Sequence, residues 1–358
     1  MTVRRYGLFL ALGLTFSALG ADFVAAAQPA RIGKPRPAPP TPPNVPPLPP
    51  AVIDDALAVG GEDLKARKVE TRLTVQVLVN GRGPYHFLVD SGADTSVVGL
   101  RIARGLNLPL GTPAILNGMT SRNLVDRVRV AQLTLGSTTI TDLQLPALSE
   151  RDVGGQGMIG IDALVRQRLL MDFEKRLIKI EDARLPPRPL PGEIVVTAKR
   201  RRGQLILTEV RAAGLPLEAV IDTGSQITIG NVALRDRLLR KRHRFQTVEV
   251  TGVTGVTIKL QLGVINELRL GSVVLRHVPI AFADVPPFAL FGLSQEPALL
   301  LGTDLLEKFR RVSLDFQARK VRFQLRKCGS SGTVISTSPQ STMLTRISSG
   351  DNMAVCRR

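Results

Sequence analysis

The two halves of this 358-residue chain repeat one another, and no other feature limits the possible folds as much. The boundary is the breaker run Leu185-Pro186-Pro187-Arg188-Pro189-Leu190-Pro191-Gly192, which no regular element crosses easily. Before it lies Gly83-Pro84-Tyr85-His86-Phe87-Leu88-Val89-Asp90-Ser91-Gly92. After it lies Gly214-Leu215-Pro216-Leu217-Glu218-Ala219-Val220-Ile221-Asp222-Thr223-Gly224. Further on, Leu133-Thr134-Leu135-Gly136-Ser137 recurs as Leu268-Arg269-Leu270-Gly271-Ser272. Met158-Ile159-Gly160-Ile161-Asp162-Ala163-Leu164 then recurs as Leu300-Leu301-Gly302-Thr303-Asp304-Leu305-Leu306. Each half ends alike, on Met171-Asp172-Phe173 and Leu314-Asp315-Phe316. The offset is 132 at the aspartates (222 − 90) and 142 at the later glycines (302 − 160), a drift that small loop insertions produce. Since the order never changes, two copies of one unit related by a pseudo-twofold are expected.

Locally the unit reads as β structure. Hydrophobic residues make up 44% of the chain but aromatic ones only 4%, with no Trp, so the core must rest on Val, Leu and Ile. Leu73-Thr74-Val75-Gln76-Val77 alternates as a strand does, and Gly-Ser at 136–137 and 271–272 marks hairpin turns. Each half reads as strand, tight turn at Asp-Ser/Thr-Gly, short helix, hairpin, further strands, then a helix. The spacing predicts those last helices over Val165–Leu170 and Leu305–Arg310, with Asp162 and Asp304 as N-caps.

The flanks differ from the body. Arg4 and Arg5 precede an apolar run from Leu8 to Leu19 and the small residues Ala25-Ala26-Ala27, so residues 1–27 read as a secretory signal or an uncleaved anchor. A Pro-rich spacer follows at 28–52, then one unit at 53–184, a linker and strand at 185–203, the second unit at 204–327, and a Ser/Thr-rich tail at 328–358. An exported protein, periplasmic or held on the inner membrane facing the periplasm, is the expectation. That compartment permits a bridge between Cys328 and Cys356; the other reading leaves both thiols free. The net charge is +18, with dense runs at Lys199–Arg202 and Arg240–Arg244. Those runs lack interleaved aromatics on which bases could stack, so no nucleic-acid partner is expected. They read as solvated surface, or as a face suited to membrane-surface association and substrate steering.

Phe87-Leu88-Val89-Asp90-Ser91-Gly92-Ala93-Asp94-Thr95 and Ala219-Val220-Ile221-Asp222-Thr223-Gly224-Ser225 both resemble the signature of aspartic peptidases, most nearly the retropepsin-like branch. In each half an apolar-apolar-Gly element follows at the family's distance, so the resemblance covers roughly residues 68–326. It implies an all-β, bilobal acid-protease-like fold: two pseudo-twofold related β-barrel lobes with short helices. It also implies an aspartic endopeptidase with Asp90 and Asp222 as its catalytic pair. Two carboxylates in hydrogen-bonding reach cannot both ionise, so one serves as base toward water while the other holds a proton. That general behaviour is known from aspartic proteases themselves.

Ser91 and Thr223 would bond across to the opposite lobe, and Gly92 and Gly224 would let backbone N–H groups approach the carboxylates. Substrate-covering flaps would have tips at Asn117-Gly118-Met119-Thr120 and Thr251-Gly252-Val253-Thr254-Gly255, although ordinary hairpin turns look the same. Val97, Ile115 and Ile227 would form apolar subsites for an extended peptide or protein substrate. The chain departs from the family pattern in places. Neither flap tip has a Tyr, Ile161 and Thr303 replace the Arg that many viral members carry, and Asp94 is answered by Gln226. An asymmetric site complete in one chain follows, for which a monomer suffices. Asp94 reads either as a substrate-backbone ligand or as a turn residue. Ser225, which has a hydroxyl where Ala93 has none, favours Asp222 as the ionised member.

No cofactor and no metal are called for. His86, His243 and His277 are scattered, which fits neither a zinc site nor a Ser/His triad, and Gly329-Ser330-Ser331-Gly332 is too short for a phosphate loop. The alternatives to a peptidase are a weakly active or inactive peptide-binding module of the cell envelope and an envelope-tethered structural protein using the Pro-rich spacer and basic face.

Overall fold

A computed structural model describes residues 31–40, 62–65, 67–69, 72–136, 138–164, 167–189, 191–239, 245–326, 334–337 and 346–347. The apolar N-terminal run, the basic run Arg240–Arg244 with His243, and both cysteines of the tail lie outside these residues. Among the described residues, no helix is long and apolar enough to cross a membrane.

Each repeat closes into a six-stranded barrel. In the first, neighbouring strands run in the order Arg72–Val79, Arg82–Val89, Gly157–Ile159, Val97–Gly99, Thr138–Leu148 and Arg127–Leu135. The last returns to the first through Leu78↔Thr134 and Val79↔Leu133. The second repeats this order with Gln204–Ala212, Leu215–Ile221, Ala298–Leu301, Ile229–Gly230, Val273–Phe282 and Thr257–Leu270, closing through Val210↔Leu270. Closure leaves no free edge within the barrel and buries the inward side chains, among them Val75, Leu133 and Ile159 in one and Ala219, Leu268 and Ile280 in the other.

A six-stranded antiparallel sheet joins the barrels, in the order Glu62–Lys65, Leu177–Asp182, Gln167–Asp172, Phe309–Asp315, Lys320–Leu325 and Glu193–Arg201. The pseudo-twofold passes between its two central strands, where Arg168 faces Asp315 and Asp172 faces Arg311. Both pairs are ion pairs, and Arg168 to Asp315 measures 3.0 Å with side chains only 4% and 1% exposed. Each aspartate also accepts a backbone bond within its own turn, from Lys175 N at 2.8 Å and Ala318 N at 2.7 Å, so the seam is satisfied on both sides.

This seam corrects the sequence reading. Val165–Leu170 and Leu305–Arg310 were expected to be helices. The described part of the first is instead the strand Gln167–Asp172, and among the described residues around these two stretches helix covers only Ile161–Ala163 and Thr303–Leu306. The second passes into the strand Phe309–Asp315. Seam strands are buried on both faces, so their apolar residues run continuously and lose the period of two. Asp162 and Asp304 are not N-caps either: Gly160 and Gly302 hold those positions without a side-chain bond.

The Pro-rich segment holds a further difference. Arg36–Pro37 pairs antiparallel with Arg122–Val125 of the first flap hairpin, Gly33 N donates to Asp126 Oδ2 at 2.7 Å, and Ala38 N donates to Arg122 O at 3.1 Å. Residues 31–40 are thus a strap along the flap's outer edge.

Candidate active site

Both aspartates sit where a barrel strand ends. Arg82–Val89 and Leu215–Ile221 run parallel to Gly157–Ile159 and Ala298–Leu301, and the ladder continues one residue further through Asp90 N to Ile159 O, 2.9 Å, and Asp222 N to Leu301 O, 3.0 Å. The chain then turns under each carboxylate. Gly92 N and Ala93 N donate to Asp90 Oδ1 at 2.7 and 3.2 Å; Gly224 N and Ser225 N donate to Asp222 Oδ1, both at 3.0 Å.

The glycines do more than free the backbone. A Cβ on Gly92 would lie 2.8 Å from the Asp222 carboxyl group, and one on Gly224 would collide with Asp90. Each loop's glycine therefore makes room for the aspartate of the opposite lobe.

Ser91 and Thr223 lock the loops together. Ser91 Oγ donates to Ile221 O at 2.9 Å and accepts from Thr223 N at 3.2 Å; Thr223 Oγ1 donates to Val89 O at 2.8 Å and accepts from Ser91 N at 2.9 Å. Both residues are buried, so each backbone group they satisfy would otherwise be stranded without water. The carboxyl groups that result share a hydrogen bond and are each 8% exposed. Burial first, and the Asp90 charge second, push Asp222 up to about 8, so the coupled pair keeps one proton at neutral pH. Ser225 Oγ turns away to donate to Ile227 O at 2.8 Å, and the two carboxylates are left with matching backbone donors.

A layer beneath the dyad was not foreseen. Ser96 N and Oγ donate to the two oxygens of Asp162 at 2.8 and 2.7 Å; Thr228 N and Oγ1 do the same to Asp304 at 3.0 and 2.7 Å. The same hydroxyls accept from Gly160 N and Gly302 N at 3.0 and 3.1 Å, fixing the later glycine element under each loop. Burial raises both Asp162 and Asp304. The repeat already carried the signal, since each aspartate stands two residues after its glycine in both halves.

Over the dyad the flaps cross. The hairpin Ala114–Asn117 with Arg122–Val125 bends at Gly118, Met119 and Thr120, and Gln246–Thr251 with Thr257–Leu270 bends at Gly252, Val253 and Thr254. Met119 packs on the second lobe's apolar cluster and Val253 on the first lobe's, while Ser121 Oγ and Thr254 Oγ1 bond at 2.7 Å. Together they roof a cavity of about 970 Å³ with Asp90 and Asp222 on its floor and Val97, Ile115 and Ile227 in its walls. Asp94 reaches this cavity too, but it is tied across the lobes to Arg202 at 3.5 Å and to Gln204.

A family model described as aspartyl protease matches residues 75–163 and 208–305, one copy per lobe and together more than half of the chain. The chain belongs to the aspartyl protease family. Similar solved structures include that of a retropepsin-like aspartic protease from Rickettsia conorii, 16% identical over 37% of this chain and 91% of that one, with a TM-score of 0.29. Among curated proteins none matches this aspartyl protease family member. The paired family match agrees with the duplication read from the sequence and with its two barrels.

Proposed function

We propose that this aspartyl protease family member is an active endopeptidase, hydrolysing peptide bonds of protein substrates with water activated between Asp90 and Asp222. The observation that carries the reading is the hydrogen-bonded carboxyl pair holding one proton at the floor of a roofed cavity. The ionised carboxylate takes a proton from water as its oxygen attacks the scissile carbonyl carbon, and the protonated one gives its proton to the carbonyl oxygen. In collapse, the carbon–nitrogen bond breaks, the amine leaves with a proton from the first carboxyl, and the second regains its proton from the diol. The dyad ends as it began, with one proton and no covalent intermediate.

An extended peptide suits the cavity, because flap backbone can add to it as a neighbouring strand does. One chain supplies both carboxylates, so a monomer suffices. Action in the periplasm or at the inner-membrane surface is part of the same proposal and rests on the N-terminal sequence.

Replacing Asp90 and Asp222 singly with Asn should lower kcat on a peptide library by at least about three orders of magnitude, with each variant still folded. The expectation follows from removing one half of an acid–base pair that acts as a unit. Full turnover in either variant would end the proposal, and a wild type that binds peptides without cutting them would make the chain a binding module.

A further inference from the structure

The walls of the cleft are unlike, and we infer that it selects peptides with a cationic residue on one side of the scissile bond and a bulky apolar residue on the other. This rests on the peptidase reading and names its substrate class. The pseudo-twofold passes through the dyad, so an extended peptide offers the residues flanking its scissile bond to equivalent places on opposite lobes. Equivalent places with unlike chemistry make a directional filter.

The places in question are two short helices. Glu150–Val153 and Pro286–Leu290 each follow the long hairpin strand of their lobe and precede the strand that leads to the later glycine. Their sequences have nothing in common: ERDV in the first lobe, PPFAL in the second. The second lobe therefore presents Pro287, Leu290 and Phe291 beside Ile227 and Val250, backed by buried Phe288 and Leu293. The first presents Arg151, Asp152 and Gly154, over the smaller apolar backing of Val153 and Met158.

Asp152 sets the charge preference. It is half-buried, while Arg151 is exposed on the rim. Its carboxylate points under the opposite flap, where a Cβ on Gly255 would lie 3.1 Å from Oδ2. Among the described residues no side chain bonds to it. The other acids of the wall are answered: Asp94 by Arg202, and Glu249 by Lys259 at 3.9 Å. In a chain of net charge +18, the cavity holds Asp90, Asp94, Asp152, Asp222 and Glu249 against Arg151 alone. A peptide cation that enters gains the Asp152 partner, whereas a peptide carboxylate meets an acidic floor.

The test is a peptide set with the pairs Lys/Phe, Phe/Lys, Phe/Phe, Lys/Lys and Glu/Phe flanking the scissile bond. One order of Lys with Phe should show a kcat/KM about two- to fivefold above Phe/Phe and Glu/Phe, the size expected of a partly exposed ion pair. Asp152→Asn should erase the Lys advantage, and Asp152→Lys should turn it into a preference for Glu. Charge-blind cleavage, or a Lys preference that Asp152→Asn leaves in place, would overturn the inference while leaving the peptidase reading intact. If the wild type cuts none of the peptides, that reading fails. The same set is then titrated by fluorescence anisotropy: Lys-dependent binding lost in Asp152→Asn upholds the wall assignment, and charge-blind or absent binding overturns it.

Discussion

Matched backbone donors hold Asp90 and Asp222, while burial and mutual charge keep one proton on the pair, and this has a consequence for pH. Asp222 is raised from 3.8 to about 8. A carboxyl group raised on folding adds stability that is whole below its unfolded value and is lost as pH climbs through its folded one. Urea midpoints of the wild type should therefore fall relative to Asp222→Asn between pH 4 and pH 8. Turnover, which needs the same proton, should decline on its alkaline side near pH 8. A midpoint difference that stays level across that range would contradict a proton held by the buried pair. The Ser225 hydroxyl does not set the two carboxylates apart, because Ser225 Oγ bonds Ile227 O instead of Asp222.

Among the elements, the strap of residues 31–40 makes the sharpest prediction. Asp126 accepts from both Gly33 N and Arg36, the latter at 3.4 Å, so Asp126→Ala should release the strap. Losing about one net hydrogen bond of support should cut amide protection in Arg122–Val125 by about tenfold, read by hydrogen exchange. The second flap strand, Gln246–Thr251, has no such strap among the described residues and serves as the internal control. The strap was illegible in the sequence because it docks through backbone groups, which a proline-rich run does not advertise. The dyad loops and flap turns were legible for the opposite reason: glycines, hydroxyls and aspartates recur there at fixed offsets. Helix and strand were confused only at the seam, where burial on both faces removes the alternation that tells them apart. The walls of the cleft escaped the repeat argument altogether, since Glu150–Val153 and Pro286–Leu290 share position and no residues.

At the scale of the whole molecule, the joint between lobes is a backbone ladder flanked by one buried and one part-buried ion pair. Arg168→Met would leave Asp315 charged, almost fully enclosed and short of its partner. Such a change typically costs about 3–5 kcal/mol, which denaturant titration would register as a large drop in midpoint. A drop under about 1 kcal/mol would mean that the pair is not what aligns the lobes. The order of the joint along the chain has a further consequence. Its last two pairing strands, Phe309–Asp315 and Lys320–Leu325, lie nearly a hundred positions after Asp222, at the end of the second lobe. A chain cut short just after both aspartates would still lack two strands of the sheet that joins the lobes. The joint between the lobes therefore closes only with the last strands of the second lobe.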